Sequence, residues 1–557
     1  MQAPSTSAGA SVQPPWWRGA VIYQIYPRSF ADANGDGTGD LAGISSRLDY
    51  LAELGIDAVW ISPFFKSPMK DFGYDISDYR QIDPIFGTLE HFDTLLDAAH
   101  RRGIRVIIDQ VLSHTSDEHA WFQASRQART GDKADWYVWA DPRPDGTPPN
   151  NWLSIFGGSA WQWESRRGQY YLHNFLPSQP DLNFHHPAVA QQVLAEVEFW
   201  LERGVDGLRL DAINFCCHDP LLRDNPPKPA HLRTGRGYAA DNPYAFQFHL
   251  HDNTRPENLA FLEALRRLVD RYPSAVTLGE LSCENPLEAL VQYTSGTGRL
   301  HMAYNFELLV DTLSLPHIRN VIETLEARSQ DCWPCWAIGN HDVRRVISRW
   351  SDGEAPQPRA KLLNAFLASL KGTICSYQGE ELGLTEAELP REALQDPYGI
   401  AFWPTFKGRD GCRTPMPWTD KDAACGFSSA MPWLPIPPEH RALAVNTQMS
   451  TVDSVLNAYR TFLRWRRLHP ALRFGGIRFI DSPADSLCFV RDYAGQQLLA
   501  CFNFARSPCT LRLPSRTSLE VLIGHGFSRA AVDRQAVTIP ACGAFFAYVG
   551  GSGFSTR

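Results

Sequence analysis

A helix pattern leads directly into a strand pattern in the stretch Leu89-Glu-His-Phe-Asp-Thr-Leu-Leu-Asp-Ala-Ala-His-Arg-Arg-Gly-Ile-Arg-Val-Ile-Ile-Asp109. Four apolar side chains share one face of the helix: Phe92, Leu95, Leu96 and Ala99. Gly103 follows the last helical turn, and a continuous apolar run then ends at Asp109. An amphipathic helix followed by a strand that is apolar on both faces is typical of a parallel β/α unit.

The same alternation recurs along most of the chain. Strand patterns are predicted at 20–25, 58–61, 105–109, 207–211, 276–280, 336–342 and 374–377, and helix patterns at 43–54, 89–102, 188–203 and 259–272. The number of strands comes to about eight, so the sequence predicts an α/β fold of the TIM type, a (β/α)8 barrel.

Two segments depart from this alternation. Residues 114–180 are rich in Trp, Gly and Pro, which predicts an inserted domain B after the third strand. Residues 471–557 carry short alternating strands separated by turns, which predicts a C-terminal antiparallel β-sandwich, domain C. The barrel, domain A, is then expected at 16–113 and 181–470, after a flexible leader at 1–15.

Composition excludes several classes of partner. The 557 residues carry a net charge of −8, and 12% of them are aromatic, including 17 Trp. This balance argues against binding to nucleic acid or to an anionic membrane surface. No apolar run approaches the roughly 20 residues of a spanning helix. We expect a monomer or homodimer that acts on a small molecule, with aromatic rings free to stack on sugar faces.

The twelve cysteines do not form a disulfide scaffold in a chain of this length. Cys332 and Cys335 form a CxxC pair, which allows a redox or metal role, but no second CxxC or His pair stands nearby. The N-terminus lacks the basic and apolar regions of a secretory signal. Reduced, buried thiols in a cytoplasmic protein are therefore expected.

Polar side chains stand at or just after the ends of several predicted strands. They are Asp109, His114, Arg209, Asp211, Glu280, His341 and Asp342. A single strand that ends in Asp is explained by helix capping, but four such strands favour an active site at the C-terminal edge of the barrel.

The residue types in this set suit glycoside hydrolysis. The chain has no GxSxG, GxxxxGK[ST] or HExxH motif. Paired carboxylates can act instead, one as nucleophile and one as proton donor to the leaving oxygen. Arg209 lies two residues before Asp211, on the same side of its strand, where a guanidinium keeps the carboxylate ionised and oriented.

The same segments resemble the motifs of the α-amylase superfamily of glycoside hydrolases (family 13). The matching runs are 109–114, 207–211, 279–280 and 339–342, and Gly73-Tyr-Asp75, 377–381 and 409–418 also fit. Gln179-Pro-Asp-Leu-Asn183 is similar to the extra motif of the α-glucosidase and oligo-1,6-glucosidase branch. The resemblance covers essentially residues 16–557 and implies the barrel, domain B and domain C.

The resemblance also implies roles for individual residues. Asp211 would be the nucleophile of a retaining mechanism, Glu280 the general acid and base, and Asp342 the transition-state stabiliser. The residues that would grip the terminal glucose are Asp75, His114, Arg209 and His341, with Tyr74 or Tyr79 stacked on its ring. Arg409 would pair with Asp75 and close the pocket, with Arg413 as the other candidate. Phe156 and Phe175 resemble the aromatic walls, unless they serve only core packing.

A pocket closed in this way implies exo action, with one glucose released from a short α-glucoside. In the resembling branch, Val after the nucleophile accompanies α-1,6 preference and smaller residues accompany α-1,4 preference, so Ala212 favours maltose-type linkages. The alternatives are an oligo-1,6-glucosidase or a transglucosylase or isomerase that acts on sucrose or maltose. A non-catalytic, transporter-associated relative or a carbohydrate-binding module fits less well, since all three carboxylates are present.

A second cluster of oxygen-bearing residues lies near the N-terminus. Carboxylate and amide oxygens alternate in a Gly-rich loop, at Asp32, Asn34, Asp36, Thr38 and Asp40. Such a loop suits a structural Ca²⁺ or Mg²⁺ ion, with Thr38 ligating by its carbonyl, and it is similar to a metal loop of the resembling branch. The twelfth position is Gly43 rather than the Glu of an EF-hand. The alternative is a loop of Asx-turns without an ion.

Overall fold

The computed structural model describes residues 14–550, except 234–237, 239–240, 330, 352, 354–355, 516 and 534. The predicted leader at 1–15 therefore lies outside the described residues, apart from its last two positions. Eight parallel strands form one sheet, in chain order Val21–Ile25, Ala58–Ile61, Arg105–Val111, Gly207–Asp211, Val276–Leu281, Met302–Asn305, Cys335–Trp336 and Thr373–Tyr377.

The sheet closes into a barrel. Each of the first five strands pairs with the next one in the chain, the first strand pairs with the eighth, and the eighth pairs with the seventh. A parallel bridge between Ala303 and Pro334 joins the sixth strand to the start of the seventh. The (β/α)8 fold predicted from the alternation is confirmed.

Helices cover the outside of the barrel and its connections. Their bounds are Leu41–Ser46, Leu48–Leu54, Leu89–Arg101, Ala120–Ser125, Pro187–Glu202, Asn258–Val269, Pro286–Thr294, Leu315–Arg328, Val346–Trp350, Pro356–Leu367, Pro397–Ala401, Pro438–Ala442, Val445–Ser450, Val455–Arg467 and Pro470–Phe474. The helix predicted at 43–54 is two helices, because Arg47 leaves the helical conformation. The Arg47 N–H donates instead to the carbonyls of Ile44 and Ser45. In the described part of the chain, no helix is long and apolar enough to cross a membrane.

A small antiparallel sheet lies between the third and fourth barrel strands, where domain B is predicted. Its strands are Trp139–Ala140, Trp161–Glu164 and Gln169–Leu172, and a separate pair, Phe65–Lys66 with Asp78–Ile82, precedes it. Trp152 stacks on Trp161 with ring centroids 5.9 Å apart. A bridge between His114 and Asp181 anchors the segment at the C-terminal edge of the third strand, beside the predicted active site.

The C-terminal region is an antiparallel sandwich, as the short strands predicted. One sheet contains Gly476–Ile480, Ser486–Tyr493, Gln496–Asn503, Ala544–Gly550 and Ser518–Val521, and the other contains Cys509–Arg512, Ala536–Ile539 and Ala531–Asp533. Buried side chains from both sheets, such as Leu499 and Val537, form a common core. The exact bounds of the three domains stay predictions.

The strand predicted at 336–342 is the clearest departure in the barrel. Only Cys335–Trp336 is strand, because the following residues leave the sheet for other partners. The Ile338 carbonyl accepts a hydrogen bond from the buried Arg349 guanidinium, and Asn340 Oδ1 accepts one from the Asp342 N–H at 2.9 Å. The chain thereby delivers His341 and Asp342 to the barrel mouth on a loop.

Candidate active site

Arg209 lies at the centre of a group of buried carboxylates. Its Nη1 lies 2.9 Å from Asp109 Oδ1 and 2.6 Å from Asp211 Oδ1. Its Nη2 lies 2.8 Å from Glu280 Oε1. Side chains alternate along a strand, so residues 209 and 211 point to the same side, and Asp109 is the register partner of Arg209 on the neighbouring strand. The barrel thus gathers three of the predicted strand-end carboxylates on one guanidinium.

Burial and this guanidinium act on the acids in opposite directions. Burial raises the pKa of Asp211, and the Arg209 charge opposes that rise. Burial also raises the pKa of Asp109 to about 6. For Arg209 itself, burial is outweighed by Asp109 and Glu280, which hold its pKa well above the ordinary value. Arg209 therefore stays charged and favours the ionised state that a nucleophilic Asp211 needs.

Glu280 is fixed by two further donors. The Tyr304 hydroxyl donates to Oε1 at 2.9 Å, and the Ala212 N–H donates to Oε2 at 3.1 Å. Ala212 has a left-handed backbone, with φ 40° and ψ 42°, which costs a non-glycine residue on the order of 1–3 kcal/mol. Asp211 and Glu280 are both bound to the Arg209 guanidinium.

The Asp342 carboxylate is held by two arginines and a histidine. Its Oδ1 lies 2.9 Å from Arg413 Nη2 and 3.3 Å from Arg409 Nη1, and its Oδ2 lies 3.2 Å from His341 Nε2. Although burial opposes ionisation, His341, Arg409 and Arg413 hold the pKa of Asp342 below its ordinary value. Asp342 is therefore the ionised carboxylate of the site. Both arginine candidates contact it.

The partner of Arg409 is Asp71, and the prediction of Asp75 is wrong. Arg409 Nη2 lies 2.8 Å from Asp71 Oδ1 and 2.8 Å from Asp396 Oδ1. Asp75 instead accepts hydrogen bonds from Ser67 Oγ and from the N–H groups of residues 70 and 71, at 2.9–3.0 Å. Positive φ values at residues 72 and 73 turn the chain between the two acids, so Asp71 faces the cavity and Asp75 faces its own loop.

Of the two tyrosines weighed for stacking, Tyr74 lines the cavity and Tyr79 does not. The Tyr74 ring lies parallel to that of His341, at 7° and 5.3 Å between centroids. The Tyr79 hydroxyl donates to the carbonyls of Val111 and His114 at 2.8 and 3.1 Å. Tyr79 therefore binds the backbone after the third strand rather than facing the cavity. Its predicted role in substrate binding is wrong.

Residues from the inserted segment complete the cavity. His114, Phe156 and Phe175 line it, as predicted from the resemblance. The Phe156 ring lies 5.3 Å from the Arg409 guanidinium carbon, and the Phe175 ring lies 5.0 Å from that of His114. Burial lowers the pKa of His114 to about 4, so this imidazole is neutral at neutral pH.

Asp71, Gln179 and Asp396 are polar residues at the site that were not singled out from the sequence. Gln179 Nε2 donates to Asp71 Oδ2 at 3.1 Å and lies 3.2 Å from His114 Nε2. The sequence could have indicated Gln179, because this residue begins the extra motif at 179–183. Asp396 lies in a Pro-rich loop and carries no sequence signal.

A second cavity adjoins the first. Tyr238 and Ser282 line both cavities, while Lys228, Phe248 and Glu284 line only the second. Lys228 Nζ lies 2.6 Å from Glu284 Oε1. The second cavity is therefore a polar and aromatic space beside the carboxylates.

The proposed metal loop is closed by its own hydrogen bonds. Asp32 accepts from the N–H groups of residues 35 and 37, and Asp40 accepts from those of residues 33, 34 and 43. Asn34 and Asp36 each accept from the N–H two residues further on, at 2.9 and 2.8 Å. Within the described residues, no three His, Cys, Asp or Glu side chains gather into a metal cluster. These hydrogen bonds have the form of Asx-turns.

Buried carboxylates on one arginine, in an aromatic-lined cavity at the C-terminal edge of a barrel, define a glycoside-cleaving enzyme. Residues 24–475 match the family model described as "Alpha amylase, catalytic domain". The chain belongs to the α-amylase family of glycoside hydrolases, in its α-glucosidase and oligo-1,6-glucosidase branch.

Curated relatives and solved structures agree with this family. A "Probable alpha-glucosidase" of Rhizobium meliloti is 55% identical over 96% of this chain and 97% of its own length. An oligo-1,6-glucosidase of Parageobacillus thermoglucosidasius is 36% identical over 90% of this chain and 92% of its own. The structure of the α-glucosyl transfer enzyme XgtA is 60% identical, with a TM-score of 0.94 over 96% of this chain and 100% of that one. Trehalulose synthase MutB from Pseudomonas mesoacidophila is 33% identical, with a TM-score of 0.87 over 97% and 100%.

Proposed function

We propose that this protein is a retaining, exo-acting α-glucosidase that releases glucose from the non-reducing end of short α-glucosides. The observation that carries the proposal is the pairing of Arg409 with Asp71 and Asp342 across the far end of the cavity. We infer that this pairing, with Phe156 beside Arg409, closes the cavity behind a terminal sugar.

The chemistry follows from the carboxylates. Asp211 attacks the anomeric carbon while Glu280 gives its proton to the leaving oxygen, which breaks the glycosidic bond and forms a glycosyl ester. Arg209 occupies Asp211 Oδ1, and we assign the attack to the other oxygen. Glu280 then takes a proton from water or from an acceptor hydroxyl, which displaces Asp211. Asp342 binds sugar hydroxyls as positive charge develops on the ring.

Linkage preference is proposed as α-1,4, with maltose as the type substrate. Ala212 lines the cavity directly after the nucleophile, and its small side chain is the feature that favoured α-1,4 linkages in the sequence. The relatives' names include an oligo-1,6-glucosidase and a trehalulose synthase, so α-1,6 cleavage and action on sucrose are the competing outcomes.

Glucosyl transfer is proposed as a second outcome of the same glycosyl ester. The second cavity supports this proposal because it begins at Ser282, two residues after Glu280. An acceptor that occupies this cavity competes with water for the ester. The similarity to the α-glucosyl transfer enzyme XgtA favours the same conclusion.

Three further expectations remain proposals. A structural Ca²⁺ or Mg²⁺ in the Asp32–Asp40 loop rests on the order of its oxygen ligands alone. A cytoplasmic location is supported by nine buried cysteines that form no disulfide in the described part of the chain. A monomer or homodimer stays an expectation, and the absence of a nucleic-acid partner is supported by the net charge of −8.

A product time course tests the proposal. Purified protein is incubated separately with maltose, isomaltose and sucrose, with Asp211→Asn as the blank. We expect glucose mainly from maltose, and trisaccharides as maltose concentration rises. The amide of the variant cannot form the ester, so its turnover should fall by at least 10³-fold. Turnover of isomaltose or sucrose alone would overturn the α-1,4 assignment, and near-normal activity of the variant would overturn the nucleophile.

A further inference from the structure

Gln24 is a buried amide on the first barrel strand that contacts the active site without lining its cavity. Its side chain is 0% exposed. Its Nε2 lies 2.7 Å from His341 Nδ1 and 3.2 Å from Ser62 Oγ. His341 lies at the far end of the loop after the seventh strand, so this contact joins that loop to the barrel wall.

His341 carries a single ring proton at working pH. Burial lowers its pKa well below the ordinary value, and the three arginines 209, 409 and 413 act in the same direction against the pull of Asp342. A neutral imidazole has one donor nitrogen and one acceptor nitrogen. Which nitrogen donates is decided by the partner of the other one.

The partners of Nε2 require it to be the donor. It lies 3.2 Å from Asp342 Oδ2 and 2.6 Å from the Tyr74 hydroxyl. Asp342 is ionised, so a nitrogen lone pair directed at its oxygen would be repelled, whereas an N–H is attracted. Nδ1 must then accept a hydrogen bond, and the Gln24 amide N–H is the donor that faces it.

We propose that Gln24 is a positioning residue that fixes the Nε2–H tautomer of His341. This tautomer gives Asp342 a neutral donor. It also lets the Tyr74 hydroxyl accept from His341 and donate to Asp109 Oδ2, 3.1 Å away. With the proton on Nδ1, Tyr74 would have to donate to Nε2, and Asp109 would lose that bond. Gln24 thus sets the direction of a chain from His341 through Tyr74 to Asp109.

Histidine ¹⁵N NMR of the whole enzyme without substrate tests the tautomer directly. The resonances of His341 are assigned from their loss in His341→Asn. We expect Nδ1 without a proton and Nε2 with one. In Gln24→Met, which keeps the side-chain length but removes the donor, the Nδ1 resonance should shift. A proton on Nδ1 in the unmodified protein, or no shift in Gln24→Met, would overturn the proposal. If Gln24→Met does not fold, the protonation of His341 Nδ1 in the unmodified protein still tests the proposal.

Gln110→Met is the matched control. Gln110 is a glutamine on the third barrel strand, also 0% exposed, and its amide has no hydrogen-bond partner within the described residues. We expect kcat/KM on the best α-glucoside to fall about tenfold in Gln24→Met and to stay within about twofold in Gln110→Met. Equal losses would indicate barrel packing rather than positioning. The measurement of kcat/KM rests on the proposed function, but the NMR measurement of the tautomer does not. The proposed function and the role of Gln24 can therefore be contradicted independently.

Discussion

The two acids of the loop 67–75 provide a matched pair for mutation. Asp71→Asn removes a charged partner of Arg409, at the end of the cavity where the terminal sugar binds. We expect kcat/KM to fall roughly 10–100-fold, mainly through KM, with little change in melting temperature. Steady-state kinetics on maltose measures the loss.

Asp75→Asn should behave in the opposite way. The Asp75 carboxylate accepts hydrogen bonds from two backbone N–H groups and one hydroxyl. In the Asn variant, the amide NH₂ must face at least one of these donors. That donor then has no acceptor, which costs about 1–3 kcal/mol of folding free energy. We expect a lower melting temperature and nearly normal KM. A KM effect as large as that of Asp71→Asn would contradict the assignment of the cavity to Asp71.

These acids also illustrate what sequence reasoning could reach at single residues. Asp211 and Glu280 could be named because strand ends have a known place in a barrel, and Asp342 could be named because it ends the polar run that follows the seventh strand. Asp71 and Asp75 lie four residues apart in one irregular loop, where no periodicity applies. Their directions depend on the backbone at residues 72 and 73, which the sequence does not specify.

At the scale of elements, the Asp32–Asp40 loop gives a test for the proposed ion. If an ion is bound, a chelator should lower the melting temperature, because an ion that binds only the folded state stabilises it by mass action. Asp36→Asn keeps an oxygen that can accept the Thr38 N–H but loses one ligand charge. The melting temperature of Asp36→Asn should equal that of the unmodified protein with chelator, and adding the chelator should not change it. An unchanged melting curve together with no metal in elemental analysis would leave the Asx-turn loop as the answer.

The short helix Glu380–Leu382, after the eighth strand, contains a carboxyl group that should make stability depend on pH. Burial raises the pKa of Glu380 to about 8, against hydrogen bonds from Ser376 Oγ and the Tyr377 N–H that favour the charged form. Between about pH 4.5 and pH 8, the unfolded state loses this proton while the folded state keeps it. The contribution of Glu380 to the free energy of unfolding is therefore fully present below about pH 4.5, and it is lost as the pH rises to about 8.

Glu380→Gln removes this titration while copying the protonated form. The melting temperature of the variant relative to the unmodified protein should rise steadily from pH 5 to pH 8. Burial also raises the pKa of Glu381, but its carboxylate accepts from two tyrosines and the Gly379 N–H. Glu381→Gln is the comparison, because its amide leaves one of these donors unpaired, so this variant should be less stable than the unmodified protein even at pH 5. A pH-independent difference for Glu380→Gln would show that this carboxyl does not titrate in the window.

Elements were predictable where their periodicity is strong. The strands Ala58–Ile61 and Gly207–Asp211 and the helix Leu89–Arg101 lie within one residue of expectation. The strand Met302–Asn305 was missed, since a short run that contains Tyr and Asn has no clear apolar pattern. The seventh strand was predicted too long, because Arg349 rather than a neighbouring strand takes the Ile338 carbonyl.

At the scale of the whole molecule, the cavity is assembled from distant parts of the chain. Arg409 and Asp71 are 338 positions apart in sequence, and no local pattern connects them. The barrel could be predicted from repeated β/α units. The closed end of the cavity depends instead on irregular loops, and only the family resemblance indicated it.

The balance between hydrolysis and transfer should depend on the second cavity. Phe248 lines this cavity, with Lys228 Nζ 5.5 Å above its ring, and an aromatic face there favours a bound acceptor sugar over bulk water. Phe248→Ala should lower the ratio of trisaccharide to glucose from maltose several-fold, with little change in hydrolysis of a short aryl α-glucoside, whose sugar occupies only the first cavity. Phe246→Ala is the control, because that ring is 36% exposed and packs on Arg233 outside the cavity lining. If both variants keep the original product ratio, the acceptor does not bind through this aromatic wall.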